Sequence, residues 1–183
     1  MTRALIVVDV QNDFCEGGSL AVAGGAQVAA DIAALIAEGT YDWVVATRDH
    51  HIDPGSHFCD EPDFVDSWPP HCVVGTPGEE LHDPLDPSLF AAMFFKGEYE
   101  AAYSGFEGAT SEGTKLQDWL HERGVIDIDV CGIATDYCVR ATVLDGVAAG
   151  FEVTLLNGLT AAVDPANLDR FYAELDAINV TVS

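Results

Sequence analysis

Basic residues are scarce in this sequence. Lysine and arginine together number 7 against 31 aspartates and glutamates, so the formal net charge at pH 7 is −24. So acidic a surface repels phosphate groups, which argues against nucleic acid or an anionic membrane as a partner. The acids are scattered along the chain, as on a solvated surface, and adaptation to high salt is one hypothesis for them. Only two lysines occur, Lys96 and Lys115, and each needs a reason to be present.

Other absences narrow the class of protein further. The apolar runs are too short to span a bilayer, and the first residues lack the apolar segment of a secretory signal, so we expect a cytoplasmic protein. Five cysteines without a C-x-x-C pair argue against a disulfide framework or a zinc ribbon. The loop at 11–18 has no G-x-G-x-x-G pattern after the first apolar run, which disfavours a nicotinamide-dinucleotide oxidoreductase.

Apolar runs alternate with segments of helical spacing along the chain. The predicted strands are 4–10, 43–49, 91–96, 128–131, 151–156 and 179–182, and the predicted helices are 26–37, 115–123, 136–149 and 166–178. This alternation predicts an α/β protein with three αβα layers around a six-stranded, mostly parallel sheet. No repeat or linker divides the sequence, so residues 1–183 are expected to form one domain.

Charged side chains lie at the ends of three predicted strands. The first ends near Asp9, the second at Asp49 and the third at Lys96. Open α/β sheets bind ligands at the carboxyl ends of their strands, so these groups are candidates for a site. Alternatively, Asp9 caps a turn and Lys96 forms a surface ion pair.

Cys138 follows the fourth predicted strand and lies in the first turn of the next predicted helix. The N-terminus of a helix favours a thiolate, and its free N–H groups can receive the oxyanion of an attacked carbonyl. These properties are typical of a nucleophile. The alternative is a small buried cysteine that packs behind the sheet.

Histidines cluster after the second strand. Asp49, His51, His57 and His71 fall within 23 residues and offer one carboxylate and three imidazoles, a ligand set for Zn, Fe or Mn. His50 is expected to point away from them, since alternate residues of a strand face opposite sides. His57 and His71 lie on a long proline-rich loop, 52–87, and such loops are usually functional. Histidines on a loop surface are the alternative.

Taken together, these residues resemble the nicotinamidase/pyrazinamidase family of isochorismatase-like cysteine hydrolases. The resemblance rests on an ordered set of motifs: the strand before Asp9, Gln11-Asn12-Asp13-Phe14, the aspartate–histidine set, Lys96-Gly97, and Gly132-Ile133-Ala134-Thr135-Asp136-Tyr137-Cys138-Val139. It covers essentially the whole chain. It implies a six-stranded parallel sheet.

The resemblance also implies roles for single residues. It implies a catalytic triad of Asp9, Lys96 and Cys138, and one divalent metal ion on Asp49, His51, His57 and His71. It implies a cis peptide near Ile133-Ala134 and an oxyanion hole from the N–H groups of Ala134 and Cys138. The implied substrate-binding residues are Phe14, Trp68, Tyr103, Ala134 and Tyr137, with the pyridine nitrogen on the metal. Tyr137 departs from the histidine of close relatives and adjoins the nucleophile.

The implied activity is hydrolysis of nicotinamide to nicotinate and ammonia, and of pyrazinamide to pyrazinoate, through a Cys138 thioester, in NAD salvage. The partner is then a small molecule, and the protein a monomer or small homo-oligomer. Two alternatives stay open: a related amidohydrolase for a carbamoyl or ureido compound, and a metal-binding, redox-sensing module. A cysteine phosphatase is excluded because its C-x5-R motif would need arginine where Leu144 stands.

Overall fold

The protein is built around one parallel sheet. A computed structural model describes residues 2–183. The strands are β1 Thr2–Val8, β2 Trp43–Asp49, β3 Ala92–Lys96, β4 Val125–Ile133, β5 Glu152–Ala161 and β6 Thr181–Val182. The helices are α1 Gly25–Ala37, α2 Leu116–Glu122, α3 Arg140–Ala148 and α4 Asp169–Ala177. The six strands pair in the order β3-β2-β1-β4-β5-β6, and every pairing is parallel. The predicted sheet is therefore confirmed.

Two apolar cores cover the two faces of the sheet. In β1, Ile6 and Val8 face a core that includes residues of α2, α3 and α4, whereas Leu5 and Val7 face a second core with α1. Because both faces of β1 are covered, its sequence is a continuous apolar run rather than an alternating one. The architecture is the predicted three-layer αβα arrangement.

Several predicted bounds differ from the observed ones near the carboxyl ends of the strands. The first strand ends at Val8 instead of residue 10, because Asp9 has a positive φ of 48° that ends the extended conformation. The helix predicted from residue 136 begins as a π-helical turn, Thr135–Val139, and α3 starts only at Arg140. Cys138 is therefore in this turn rather than in the first turn of an α-helix. Both differences fall at the predicted site.

Smaller differences lie elsewhere. The fourth strand is longer at both ends than the apolar run 128–131 predicts, and β5 extends to Ala161 through an irregular register with β4. A separate 3-10 turn, Pro165–Asn167, precedes α4, where one continuous helix from 166 was predicted. Within residues 2–183, no helix combines the length and hydrophobicity that crossing a membrane requires.

Candidate active site

Asp9, Lys96 and Cys138 meet at the carboxyl edge of the sheet. Asp9 follows β1, Lys96 ends β3, and Cys138 follows β4 in the π-helical turn. The Lys96 ammonium lies 2.8 Å from Asp9 Oδ2 and 3.7 Å from Cys138 Sγ. All three residues are buried. The parallel topology thus brings together three groups that are far apart in the sequence.

Lys96 also contacts Asp49, one of the predicted metal ligands. Its ammonium donates a short hydrogen bond to Asp49 Oδ1 and a longer one, 3.3 Å, to the backbone oxygen of Ala102. Burial alone would lower the pKa of the lysine, but the carboxylates of Asp49 and Asp9 outweigh it and raise the pKa well above its usual value. Lys96 is therefore a permanent cation between two carboxylates.

Burial favours the protonated form of the Cys138 thiol. Burial raises its pKa well above the ordinary value, and the attraction of Lys96 only partly offsets this effect. The prediction that the helix N-terminus favours a thiolate is therefore wrong, because desolvation dominates and the α-helix starts after the cysteine. Burial likewise raises the pKa of Asp9, although Lys96 and a 2.6 Å hydrogen bond from Thr47 Oγ1 oppose the rise. Asp9 is thus a buried carboxyl group whose pKa is held by opposing effects, and it lies beside the Cys138 thiol.

Three imidazoles and a carboxylate converge beside this cluster. One nitrogen from each of His51, His57 and His71 lies within 4.8 Å of the other two, and all three residues are buried. Asp49 Oδ2 lies 3.6 Å from Nε2 of His51 and 3.8 Å from Nε2 of His71. His50 lies outside this group, as predicted, and its Nδ1 contacts Glu79 instead.

The hydrogen bonds of the imidazoles leave ring nitrogens available to bind a metal ion. Nδ1 of His51 bonds to the backbone oxygen of Gly97 at 2.6 Å and Nδ1 of His71 to that of Pro69 at 2.8 Å, which leaves both Nε2 atoms for a ligand. Nε2 of His51 and Nδ1 of His57 are buried without any hydrogen-bond partner. Burial and the neighbouring imidazoles lower the pKa of His57 to about 4, so its ring is neutral at neutral pH. Unpaired nitrogens beside a carboxylate form a site for a divalent metal such as zinc.

A largely apolar pocket joins the two groups. Cys138, Asp49, His57 and His71 contribute to its wall. The predicted substrate-binding residues all line it: Phe14, Trp68, Tyr103, Ala134 and Tyr137. The aromatic side chains are fixed to one another, since Trp68 Nε1 donates to the Tyr103 hydroxyl at 3.2 Å and the Trp68 and Tyr137 rings meet edge to face. The aromatic and apolar lining suits a mainly apolar ring, and Cys138, Asp49, His57 and His71 supply the polar groups.

The backbone next to the pocket is specialised. The peptide between Ile133 and Ala134 is cis, in agreement with the resemblance. In the turn that follows, the Ala134 carbonyl accepts hydrogen bonds from the N–H groups of Tyr137 at 3.1 Å and Val139 at 3.0 Å. Cys138 is held between these two anchored residues.

Sequence reasoning missed several residues of the site. Thr47 and Gln11, which bond to Asp9 and to the backbone of Asp49, look like ordinary strand and loop residues. Five further pocket-lining residues were not predicted: Leu20, Val22, Ala102, Ile133 and Val163. Apolar side chains such as these carry no chemical signal. Gln11, unlike Thr47, belongs to a motif of the family resemblance.

The fold and the site together define a three-layer α/β protein with a buried cysteine at the carboxyl edge of its parallel sheet, and comparison with known proteins identifies its family. The chain belongs to the isochorismatase family, since the profile of the isochorismatase domain matches residues 3–183. It is 59% identical to nicotinamidase/pyrazinamidase of Mycobacterium tuberculosis over 162 residues, which cover 88% of this chain and 87% of the relative.

Solved structures agree with this assignment. PnC1 from L. infantum, in complex with nicotinate, superposes with a TM-score of 0.86 at 37% identity, covering 100% of this chain and 92% of that one. Pyrazinamidase of Pyrococcus horikoshii, in complex with zinc, gives a TM-score of 0.83 at 36% identity, with coverage of 100% and 99%. The neighbours thus include one protein bound to a pyridine carboxylate and one bound to zinc.

Proposed function

We propose that this protein hydrolyses nicotinamide to nicotinate and ammonia, and pyrazinamide to pyrazinoate, as a step of NAD salvage. One observation carries the proposal: a single pocket presents the Cys138 thiol, an aromatic wall and the aspartate–histidine site to the same small volume. A nicotinamide ring has a carboxamide for the thiol and a ring nitrogen for the aspartate–histidine site. The 59% identity to the mycobacterial nicotinamidase/pyrazinamidase supports the same activity.

Asp9, Lys96 and Cys138 are the proposed catalytic residues. In the first step, Asp9 takes the proton of the Cys138 thiol while the sulfur attacks the carboxamide carbon. The raised pKa values of both groups support transfer at the moment of attack over a resting thiolate. The oxyanion that forms is held by the backbone N–H groups of Ala134 and Cys138. Lys96 stabilises the negative charge that passes between Asp9 and the sulfur.

Departure of ammonia requires the same proton. An amide nitrogen leaves poorly unless it is protonated, so Asp9 returns the proton to it as the carbon–nitrogen bond breaks. The carbonyl carbon is then a thioester on Cys138. A water molecule attacks the thioester, Asp9 accepts its proton, and the carbon–sulfur bond breaks. Nicotinate leaves, and the proton returns to the Cys138 sulfur.

The aspartate–histidine site and the aromatic residues of the pocket orient the substrate. Asp49, His51, His57 and His71 would hold one divalent metal ion, which supplies Lewis acidity where the pyridine nitrogen of the ring is placed. Phe14, Trp68, Tyr103 and Tyr137 contact the faces and edges of the ring. The ring is thereby fixed at the distance from the thiol that attack requires.

The remaining parts of the proposal concern the setting of the reaction. We infer that the enzyme works in the cytoplasm on a small molecule, without nucleic acid or membrane, as a monomer or small homo-oligomer. The net charge of −24 supports the lack of an anionic macromolecular partner.

The test is ammonia release from three amides by purified protein. We expect turnover of nicotinamide, turnover at least about tenfold lower for benzamide, which keeps the ring and lacks its nitrogen, and no turnover of a ureido acid. Removal of metal by a chelator should lower the rate with nicotinamide, and added Zn²⁺ or Mn²⁺ should restore it. Turnover of the ureido acid alone would favour the carbamoyl or ureido alternative, and no turnover of any amide would favour the sensor alternative.

A further inference from the structure

The loop after β1 carries two polar side chains that the proposed reaction does not use. Gln11 is fully buried, and Asp13 is half-buried. Neither residue lines the pocket or contacts the Cys138 thiol in the described part of the chain. Their hydrogen bonds run instead to the backbone of the segments that carry the proposed metal ligands.

Gln11 forms hydrogen bonds with both the backbone N–H and the backbone oxygen of Asp49. Its Oε1 accepts the N–H of Asp49 at 2.9 Å, and its Nε2 donates to the backbone oxygen of the same residue at 2.9 Å. The second proton of the amide goes to the backbone oxygen of Glu79 at 2.8 Å. One side chain therefore fixes both polar backbone groups of a single ligand residue.

Asp13 holds the segment that carries His71. Its Oδ2 accepts the backbone N–H of Cys72, the next residue, at 2.8 Å, and its Oδ1 accepts the N–H of Ser19 at 3.2 Å. The carboxylate is seated against Gly78, where a Cβ atom would lie 2.1 Å from Oδ2. The absence of a side chain at Gly78 therefore makes room for the carboxylate.

The backbone of Cys72 connects two ligands. Its N–H is bound by Asp13, and its carbonyl oxygen accepts the N–H of His51 at 3.1 Å. Cys72 also has a positive φ of 46°, which L-residues seldom adopt without support from their surroundings. The Asp13 carboxylate supplies such support at the point where the His71 segment joins His51.

We propose that Gln11 and Asp13 are positioning residues of the metal centre. Gln11 orients the Asp49 carboxylate, and Asp13 orients the His71 imidazole through Cys72, so that the ligands converge before the ion arrives. The inference rests on the proposed metal ligands. A ligand whose backbone is fixed loses less conformational freedom on binding, and loss of supporting hydrogen bonds around a metal typically costs about 10- to 100-fold in affinity.

The test measures Zn²⁺ affinity by competition with a chromophoric chelator. The variants are Gln11→Met, which keeps the side-chain volume, Asp13→Ala, and Asp13→Asn, which keeps one acceptor for the Cys72 N–H. Asp86→Ala is the matched control, because the Asp86 carboxylate also accepts a backbone N–H, that of Ser88 at 2.9 Å, on a different turn. We expect affinity about 10- to 100-fold weaker for Gln11→Met and Asp13→Ala, an intermediate value for Asp13→Asn, and the wild-type value for Asp86→Ala.

A second readout separates positioning from general stability. Co²⁺ in place of zinc gives visible absorption bands that report ligand geometry, and we expect these bands to change in the Gln11 and Asp13 variants alone. If Gln11→Met or Asp13→Ala does not fold, Asp13→Asn decides the question, since it changes neither volume nor shape. Affinities within about twofold of wild type, with unchanged Co²⁺ bands, would overturn the inference. If wild type binds Zn²⁺ no better than His51→Ala does, the proposed set of metal ligands is wrong. The inference about Gln11 and Asp13 is then wrong as well.

Discussion

Lys96 is the residue at which the two halves of the site meet. Its ammonium contacts Asp9, the proposed base, and Asp49, a proposed metal ligand, and both contacts are buried. Lys96 supplies one positive charge against two buried carboxylates, so removing Lys96 would leave both carboxylates buried without a compensating charge. The proposed nucleophile and the proposed metal centre therefore share one charged cluster rather than forming two independent sites.

Thr47 affects the pKa of Asp9, the proposed base. Its hydroxyl donates to Asp9 Oδ1 at 2.6 Å and lowers the pKa of that carboxyl, which must be ionised to act. Thr47→Val removes the donor, so we expect the acid limb of the kcat/KM profile to move to higher pH. Thr47→Ser keeps the hydroxyl and should leave the limb in place. An unchanged limb in Thr47→Val would show that the bond does not affect the base.

His57 makes the stability of the metal-free protein depend on pH. Its pKa is about 4 when folded against an ordinary value of 6.5, so the unfolded chain takes up the proton first as the pH falls. The wild type should therefore lose stability relative to His57→Gln from about pH 6.5 downward, with the loss complete near pH 4. Urea unfolding of chelator-treated proteins at several pH values measures this. A difference between the two proteins that does not change with pH would contradict the lowered pKa.

The chemically distinctive residues could be predicted because they lie at strand ends. Asp9, Asp49 and Lys96 each end an apolar run, and parallel strands bring such ends to one edge of the sheet. The ionisation state of Cys138 could not be predicted, since it depends on depth of burial, which a sequence does not show. Their roles in catalysis and metal binding stay predictions.

At the scale of elements, β1 and β4 must approach closely beside the site. Gly132, near the end of β4, has a φ of +117°, and a Cβ atom there would lie 2.1 Å from the backbone oxygen of Val8. Only glycine satisfies both constraints without moving a strand. Gly132 packs against the end of β1, directly before Asp9, and it precedes the turn that contains Cys138.

Gly132→Ala should therefore be strongly destabilising. We expect a loss of about 3 kcal/mol or more in the free energy of unfolding, from backbone strain together with displaced strands. Gly158→Ala in β5 is the matched control, because a Cβ atom at Gly158 meets nothing within 4 Å. Urea unfolding measures both variants. Similar small losses in the two variants would contradict the close packing of β1 against β4.

The types and order of the elements were predictable, and their ends near the site were not. Long apolar and helical patterns predicted all six strands and four helices. The π-helical turn at Cys138 and the early end of β1 at Asp9 depend on tertiary contacts that override local preference. The irregular positions thus coincide with the candidate site.

At the scale of the whole molecule, charge is the dominant feature. A net charge of −24 on 183 residues creates repulsion that opposes the compact state. Salt screens such repulsion, since the Debye length falls from about 30 Å at 0.01 M to about 10 Å at 0.1 M. The organisation of residues 1–183 as one domain also belongs to this scale and stays a prediction.

Added salt should therefore stabilise the protein. We expect the thermal midpoint to rise as NaCl increases from 0.01 M to about 0.5 M, and to rise similarly with tetramethylammonium chloride, because screening does not depend on the identity of the cation. Differential scanning calorimetry in the presence of a chelator measures the effect without a contribution from the metal site. A midpoint that is indifferent to both salts would show that the acidic surface does not limit stability.

The central claim is that Cys138 attacks the carboxamide of nicotinamide. The most direct measurement is ammonia release from nicotinamide by wild type, Cys138→Ala and the matched control Cys59→Ala, whose cysteine does not line the pocket. We expect wild-type and Cys59→Ala proteins to turn over alike, and Cys138→Ala to lose at least about 1,000-fold in kcat while remaining folded. Turnover by Cys138→Ala within tenfold of wild type would contradict the thioester mechanism and the assignment of the nucleophile.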